Sequence, residues 1–385
     1  MNEPTILFYF LHLLGVGHVY RAKRLIEGMT RQGLAVDVIY GGDPIDVPLD
    51  ARNVFHLPPI RAADATYKTM LDETGMQLSK DYLDRRQAIL MDHCETLDPD
   101  AVLVEAFPFG RRVVRQEILA MIDHYRDRAR PPLIVSSVRD ILQENRKPGR
   151  LEEATSWVET RFDRVLVHSD PALIPLDATF PAATQFPDKL AYTGFVVPEK
   201  RDEGEADAFD IIVSIGGGAF GGDLLTCAAH LSAHPRWREL RFCLATGPNL
   251  PAEARDIIKS VIGENATLVT RLEDLTAHLR RARLSVSQCG YNTAMDVLQA
   301  HQHSACRAVF VPHDTTGQTE QLRRAELLDK AGYAVCLPQS QLSVEALSSA
   351  MDHALDLPKV DHDIDFSGVD TSATLLRRWI KDRKP

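Results

Sequence analysis

The chain has 385 residues, 44% of them hydrophobic and 25% charged, which fits a soluble globular protein of two domains. Its 54 acidic against 44 basic residues leave a net charge of −10 with no long basic run. Broad nucleic-acid binding, which needs a concentrated cationic face, is therefore excluded, while a local anion site built from backbone amides is not.

Six cysteines, at 94, 227, 243, 289, 306 and 336, are scattered without a CxxC pair, as expected of reduced thiols in a cytoplasmic protein. The apolar start at 6–11 has Glu3 ahead of it and no positive n-region, and it runs into Gly15-Val16-Gly17-His18 rather than a small-residue cleavage site, unlike a signal peptide. No apolar run reaches the roughly 18 to 20 residues of a spanning helix. Peripheral contact with the inner face of a membrane stays compatible with the sequence.

In chain order, residues 5–13 read as a buried parallel-type strand, 19–31 as a helix with Leu25, Ile26 and Met29 on one face, and 35–40 as a second strand after Gly33. A β-loop-α-β unit at the start points to a doubly wound parallel sheet. Residues 64–95 are polar and helix-prone, without strand signals. A third strand at 101–105 ends in Glu105, a helix covers 112–126, strands follow at 132–137 and 164–168 with a helix after Trp157 between them, and 191–197 is the last strand of this half. Apolar character nearly vanishes over 198–208, a linker. The pattern then restarts with a strand at 210–215, a loop at 216–222 and a helix at 224–231. Further strands fall near 240–245, 266–270, 283–287, 307–311 and 333–337. The fold class is α/β: two Rossmann-like doubly wound parallel-sheet domains facing a cleft, 1–197 and 209–370, with a C-terminal helix in 371–385 that crosses back onto the first.

Several stretches carry chemistry. Ser287-Gln288-Cys289-Gly290-Tyr291-Asn292-Thr293-Ala294-Met295-Asp296 is a strand end, a Gly turn and a helix start, which aims amide N–H groups and the helix dipole outward as an anion site. Asn292 or Thr293 would cap that helix, and Asp296, about one turn in, could accept hydrogen bonds from vicinal hydroxyls such as those of a ribose. The same pattern also serves a strand–helix connection capped for stability. Gly216 to Gly222 holds five glycines in seven residues between a strand and a helix, so that a ligand can approach the backbone. Two such loops in one half suit a diphosphate. His18 opens the first helix at a strand C-terminus, where the dipole lowers its pKa and suits it to act as a general base. It could equally be a capping or packing histidine. Glu105 could orient that base or hold an acceptor hydroxyl. His301, His303, Cys306 and His313 have no standard zinc spacing, so no metal site is expected. Cys289 reads as a packing thiol.

Taken together, these stretches resemble the GT-B glycosyltransferases, within them the MurG-like group with its family-28 C-terminal domain. The resemblance is strongest over about 265–337 and weaker at 5–33 and 210–222. The family's Gly-rich N-terminal turn ending in His is matched by Gly15-Val16-Gly17-His18, its GG(S)xG loop by Gly217-Gly218-Ala219-Phe220-Gly221, and its S-x-x-G-x-x-T-x-x-E signature by 287–296. Its P…Q-x-x-x-A stretch is similar to 312–325. The resemblance implies that backbone groups around Leu272 read the base, Asp296 binds the ribose, and Gly290, Tyr291, Asn292 and Thr293, with Gly217, Gly218 and Ala219, meet the diphosphate. It also implies that Gln318 and Gln321 contact the donor sugar, with His18 and the loop of Gly15 and Gly17 on the acceptor side. Three departures stand out: Asp296 is one methylene shorter than the family Glu, Ala219 offers no hydroxyl, and the segment 300–306 is longer than the usual turn.

The expected activity is transfer of a sugar from a nucleotide-diphosphate sugar, a UDP-sugar first, to an acceptor hydroxyl, inverting and metal-independent, with His18 as base and Glu105 beside it. No cofactor is expected beyond the nucleotide-sugar co-substrate, and the acceptor could be a glycan, a lipid-linked group or a small molecule. A nucleotide-sugar hydrolase or 2-epimerase on the same fold, and a non-catalytic nucleotide-sugar-binding protein, are the rival readings.

Overall fold

A computed structural model describes residues 3–14, 17–64, 67–143, 149–198, 208–216, 221–314, 319–360 and 363–383. The chain forms two compact units: the first runs to Pro198 and takes the chain back from Asp365 onward, and the second ends at Ile364. Most of the expected linker, and with it the loop residues Gly15, Gly217, Gly218, Ala219 and Gln318, lies outside the described residues.

The first unit is built on β1 (Thr5–Phe10), α1 (Gly17–Arg31), β2 (Ala35–Tyr40), β3 (Asn53–His56), β4 (Arg61–Ala62), β5 (Met70–Leu71), α2 (Lys80–Thr96), β6 (Ala101–Glu105), α3 (Arg115–Arg126), β7 (Leu133–Arg139), α4 (Arg150–Arg161), β8 (Arg164–His168) and β9 (Leu190–Tyr192). Its parallel sheet has the order β3-β2-β1-β6-β7-β8-β9. Ile6 to Phe10 are buried throughout, because helices cover both faces of the sheet. On α1, Val19, Ala22, Leu25, Ile26 and Met29 fall on the buried stripe. Gly33, at φ +74°, makes the left-handed turn into β2.

The second unit holds β10 (Ile211–Ser214), α5 (Gly222–Ala233), β11 (Phe242–Ala245), α6 (Ala252–Val261), β12 (Ala266–Val269), α7 (Leu275–Arg281), β13 (Leu284–Ser287), α8 (Tyr291–His303), β14 (Arg307–Phe310), α9 (Glu320–Lys330), β15 (Val335–Cys336) and α10 (Val344–Asp356). Its parallel sheet has the order β12-β11-β10-β13-β14-β15. The core packs Ile211, Val213, Leu225, Leu244, Leu284, Val286 and Val309 between the sheet and its helices. In both units the strand order reverses beside the first strand, between β1 and β6 and between β10 and β13. In doubly wound sheets such a reversal is where ligands are usually bound, at the carboxyl ends of the neighbouring strands.

The last helix, α11 (Gly368–Arg383), belongs to the first unit: Ala373, Leu376, Trp379 and Ile380 share one core with Ile6, Phe8 and Leu25. Arg31 pairs with Asp370 at 2.9 Å, and the guanidinium of Arg164 lies 5.7 Å from the centre of the Trp379 ring. The return starts at Asp365, earlier than the sequence pattern placed it, because Phe195 N–H already donates to Asp365 O at 2.8 Å.

Other local differences have simple causes. The stretch after β2 carries an edge strand, β3, and the antiparallel pair β4–β5, where no strand was expected. These strands are short, and β3 is mostly exposed, so alternation gives no signal. Helix α4 contains Trp157 rather than starting after it, with Gly149 in the left-handed region before its first turn. Helix α8 starts at Tyr291 with Gly290 in the N-cap position, so neither Asn292 nor Thr293 caps it. All six cysteines are reduced. Among the described residues no helix is long and apolar enough to cross a membrane.

Candidate functional site

In the first unit the sequence places a histidine after β1 and a glutamate at the end of β6, and these strands are neighbours with Tyr9 opposite Val104. The two side chains therefore meet. His18 Nδ1 lies 2.6 Å from Glu105 Oε1. Glu105 is 1% exposed and His18 19%. A carboxylate only accepts, so this contact puts the imidazole proton on Nδ1 and leaves Nε2 as a lone-pair base.

Two arginines complete the cluster. Arg21, one helical turn after His18 on α1, donates from Nη2 to Glu105 Oε1, and the same nitrogen lies 3.2 Å from His18 Nδ1. Arg111 donates from Nη2 to Glu105 Oε2 at 3.2 Å, and its backbone is left-handed at φ +59°. Burial, then the charge of Arg111 and that of Arg21, pull the His18 imidazole down to about 3, against the opposing pull of Glu105. Burial would raise the Glu105 carboxyl, but the charges of His18, Arg111 and Arg21 hold it well below the usual range. The site is thus an ionised carboxylate orienting a neutral histidine. Behind it His168, fully buried and pushed down to about 3 mainly by burial, lies 2.8 Å from Ser137 Oγ and 2.9 Å from Thr193 Oγ1.

In the second unit β10 and β13 are also parallel neighbours, so the chain leaves both at the same edge of the sheet. After β13 the chain turns at Gly290, and α8 opens without a capping side chain; its first helical bond runs from Ala294 N–H to Gly290 O at 2.9 Å. A methyl group added at Gly290 would meet no atom of the described residues within 4 Å. Across from it, Gly216 is left-handed at φ +65°, and a Cβ on it would sit 3.6 Å from Thr293 Oγ1. The start of the Gly-rich loop and the anion turn therefore converge. Gly221, at φ +118°, leads into α5, where a side chain would collide with Ile215.

Asp296 is half-buried one turn into α8, and Thr276 Oγ1 donates to its Oδ1 at 3.4 Å, tying α7 to α8. Leu272, also half-buried, sits just before α7, whose N-cap Asp274 accepts from Ala277 N–H at 3.1 Å. Gln321, in the first turn of α9, accepts from His313 N–H at 3.4 Å. Among the candidates described, Gly290 to Thr293, Asp296 and Leu272 are grouped on α8 and the approach to α7, and Gln321 comes from the neighbouring strand's helix. Cys289 is fully buried, a packing thiol. His301 Nδ1 pairs with Cys306 O at 3.0 Å and His313 Nδ1 with Gln339 Oε1 at 3.1 Å, and the described residues contain no group of three metal-ligating side chains.

The sequence profile described as "Glycosyltransferase family 28 C-terminal domain" matches residues 212–361, which lie within the second unit. The second unit is similar, over most of its length, to the C-terminal domain of the family 28 glycosyltransferases. The matched stretch thus contains the turn at 287–296, Leu272 and Gln321, while His18, Arg21, Glu105 and Arg111 lie outside it. A UDP-N-acetylglucosamine–N-acetylmuramyl-(pentapeptide) pyrophosphoryl-undecaprenol N-acetylglucosamine transferase of Thermotoga neapolitana is 22% identical over 178 residues, 46% of this chain and 49% of that one. Its counterpart in Thermotoga maritima is 21% identical over 177 residues, 46% and 48% of the two chains. The chain spans about half the length of the curated relatives it matches. Among solved structures, the calicheamicin glycosyltransferase CalG4 superposes with a TM-score of 0.62 at 15% identity, covering 99% of this chain and 95% of that one. MurG of Acinetobacter baumannii superposes with a TM-score of 0.60 at 14% identity, covering 97% and 100%. The architecture is the GT-B fold, MurG-like.

Sequence reasoning missed Arg21, Arg111 and Thr276, and its reading of the basic pair Arg323-Arg324 as a solvated helix face fails for Arg324, which is fully buried. Arg21 had a signal, since its spacing of three from His18 puts both on one helix face. Arg111 reaches Glu105 only because of its left-handed backbone, which no local pattern announces.

Proposed function

We propose that this chain transfers a sugar from a nucleoside diphosphate sugar to an acceptor hydroxyl in one inverting displacement without a divalent cation. The observation that carries the reading is the 2.6 Å contact of His18 Nδ1 with buried Glu105, a base-and-orienter pair, in a chain that also matches the family 28 profile. His18 Nε2 takes the proton of the acceptor hydroxyl as the acceptor oxygen bonds to the sugar C1 and the bond from C1 to the diphosphate oxygen breaks. Glu105 keeps the imidazole in the productive tautomer and stabilises the imidazolium that forms. The turn at Gly290 and the α8 dipole meet the negative charge that grows on the nucleoside diphosphate, the work a metal ion would otherwise do.

The Thermotoga relatives are named for a UDP-N-acetylglucosamine donor and an undecaprenol-linked acceptor. Those names make UDP-N-acetylhexosamines the first donors to test and a lipid-linked glycan the first acceptor. Such an acceptor would bring the protein to the cytoplasmic face of the membrane as a peripheral protein.

The test is a thermal-shift panel of UDP-, GDP- and dTDP-sugars, followed by transfer assays with the donor that binds. A ligand that binds only the folded state raises the melting temperature. Failure of every nucleotide sugar to do so would remove the reading, and rapid release of free or epimerised sugar without acceptor would replace transfer with hydrolysis or epimerisation.

A further inference from the structure

Arg324, on α9, carries a fully buried guanidinium in the stretch that matches the family 28 profile. Its Nη2 pairs with Glu320 Oε1 at 2.9 Å, one turn back on the same helix, where Glu320 is 17% exposed. An i,i+4 pair of this kind forms readily at a helix surface, so the ion pair alone does not explain why the arginine turns inward. The inward arm does. Nη1 donates to Cys289 O at 2.8 Å, and the guanidinium lies 5.7 Å from the centre of the Tyr291 ring.

Cys289 O belongs to the same peptide plane as Gly290 N–H, and in a trans peptide these two groups point in opposite directions. Holding the carbonyl toward the core therefore aims the Gly290 N–H away from it, at a half-buried turn where a Cβ built on Gly290 meets no atom of the described residues within 4 Å. The second arm ties the same peptide to the first turn of α9, which also carries Gln321.

We infer that Arg324 is a positioning residue: it sets the orientation of the Cys289–Gly290 peptide so that its amide receives a phosphate of the nucleotide, and it couples that amide to the first turn of α9. This rests on the nucleotide-sugar reading above. Arg324 touches no substrate itself.

The experiment measures UDP binding by calorimetry, with thermal unfolding of each protein alongside. Arg324→Lys keeps the charge but loses the two-armed fork. The double change Arg324→Met with Glu320→Gln removes both charges together, so that no lone charge is left buried. Both are expected to unfold cooperatively and to bind UDP about tenfold or more weakly, the scale of a charge-assisted hydrogen bond. Millimolar guanidinium added to Arg324→Ala is expected to restore part of that affinity without raising the melting temperature of the free protein, a split that a merely stabilising role would not produce. Unchanged UDP affinity in either folded variant overturns the inference and leaves the nucleotide reading standing. If the unaltered protein binds none of UDP, GDP and dTDP, that reading falls and takes this inference with it.

Discussion

Glu105 accepts a hydrogen bond from His18 Nδ1–H, 2.6 Å between the heavy atoms, while two arginines share its carboxylate, so the buried charge is already compensated before the imidazole is protonated. This leaves the histidine neutral and oriented. His18→Ala is expected to lower turnover by about 10²- to 10⁴-fold, the usual range for a lost general base, with UDP affinity unchanged. Glu105→Gln is expected to lower turnover with little change in donor KM, because the amide can hold the ring in the wrong tautomer. Steady-state kinetics with the identified donor decide this, and equal turnover in His18→Ala and the unaltered protein would remove His18 from the mechanism.

The charge of Arg111 is among the causes that lower His18. A general base works only unprotonated, so the rate falls as pH drops through its pKa. Arg111→Met is expected to raise that pKa and move the acid limb of kcat/KM upward, while the unaltered protein stays flat through the neutral and mildly acidic range. A titration of the imidazole by NMR provides the same reading without an acceptor. An imidazole that titrates identically in both proteins would show that Arg111 has no electrostatic hold on it.

Stability should also depend on pH. His18 and His168 titrate near 3 in the folded state, against about 6.5 in an unfolded chain. Between these values the unfolded state binds protons that the folded state refuses, so stability is full above about pH 6.5 and is lost as pH falls toward 3, by up to about 1.4 kcal/mol per group per pH unit. Glu105, with its folded pKa depressed, acts in the same direction at the lower end. His168→Gln is expected to flatten the slope between pH 6.5 and 4 in urea titrations, and an unaltered slope would assign the acid sensitivity to other groups.

Asp296 is tied to Thr276, and the proposed nucleotide-sugar function would use its carboxylate to bind the ribose. Asp296→Ala is expected to weaken UDP binding by about tenfold or more, the scale of a hydrogen bond to a charged group. The loss should be smaller for dTDP, whose sugar lacks the 2′-hydroxyl. Calorimetry with both nucleotides checks this, and equal losses would mean that the carboxylate acts elsewhere.

Much of this was legible in the chain itself. The continuous apolar strands, the helix stripes and the glycines between them dictated two doubly wound parallel sheets, because burial on both faces leaves a strong, local periodic signal. The positions of His18, Glu105 and the 287–296 turn also followed, since a loop after a parallel strand always emerges at the same sheet edge. What only the tertiary structure decided were the partners brought together across long sequence separations. Arg21 and Arg111 converge on Glu105, Thr276 engages Asp296, and Arg324 reaches back to Cys289. These contacts depend on strand order, on one left-handed residue and on which way a long side chain turns when its helix packs. Each is a property of the assembled core, and no stretch of sequence encodes it alone.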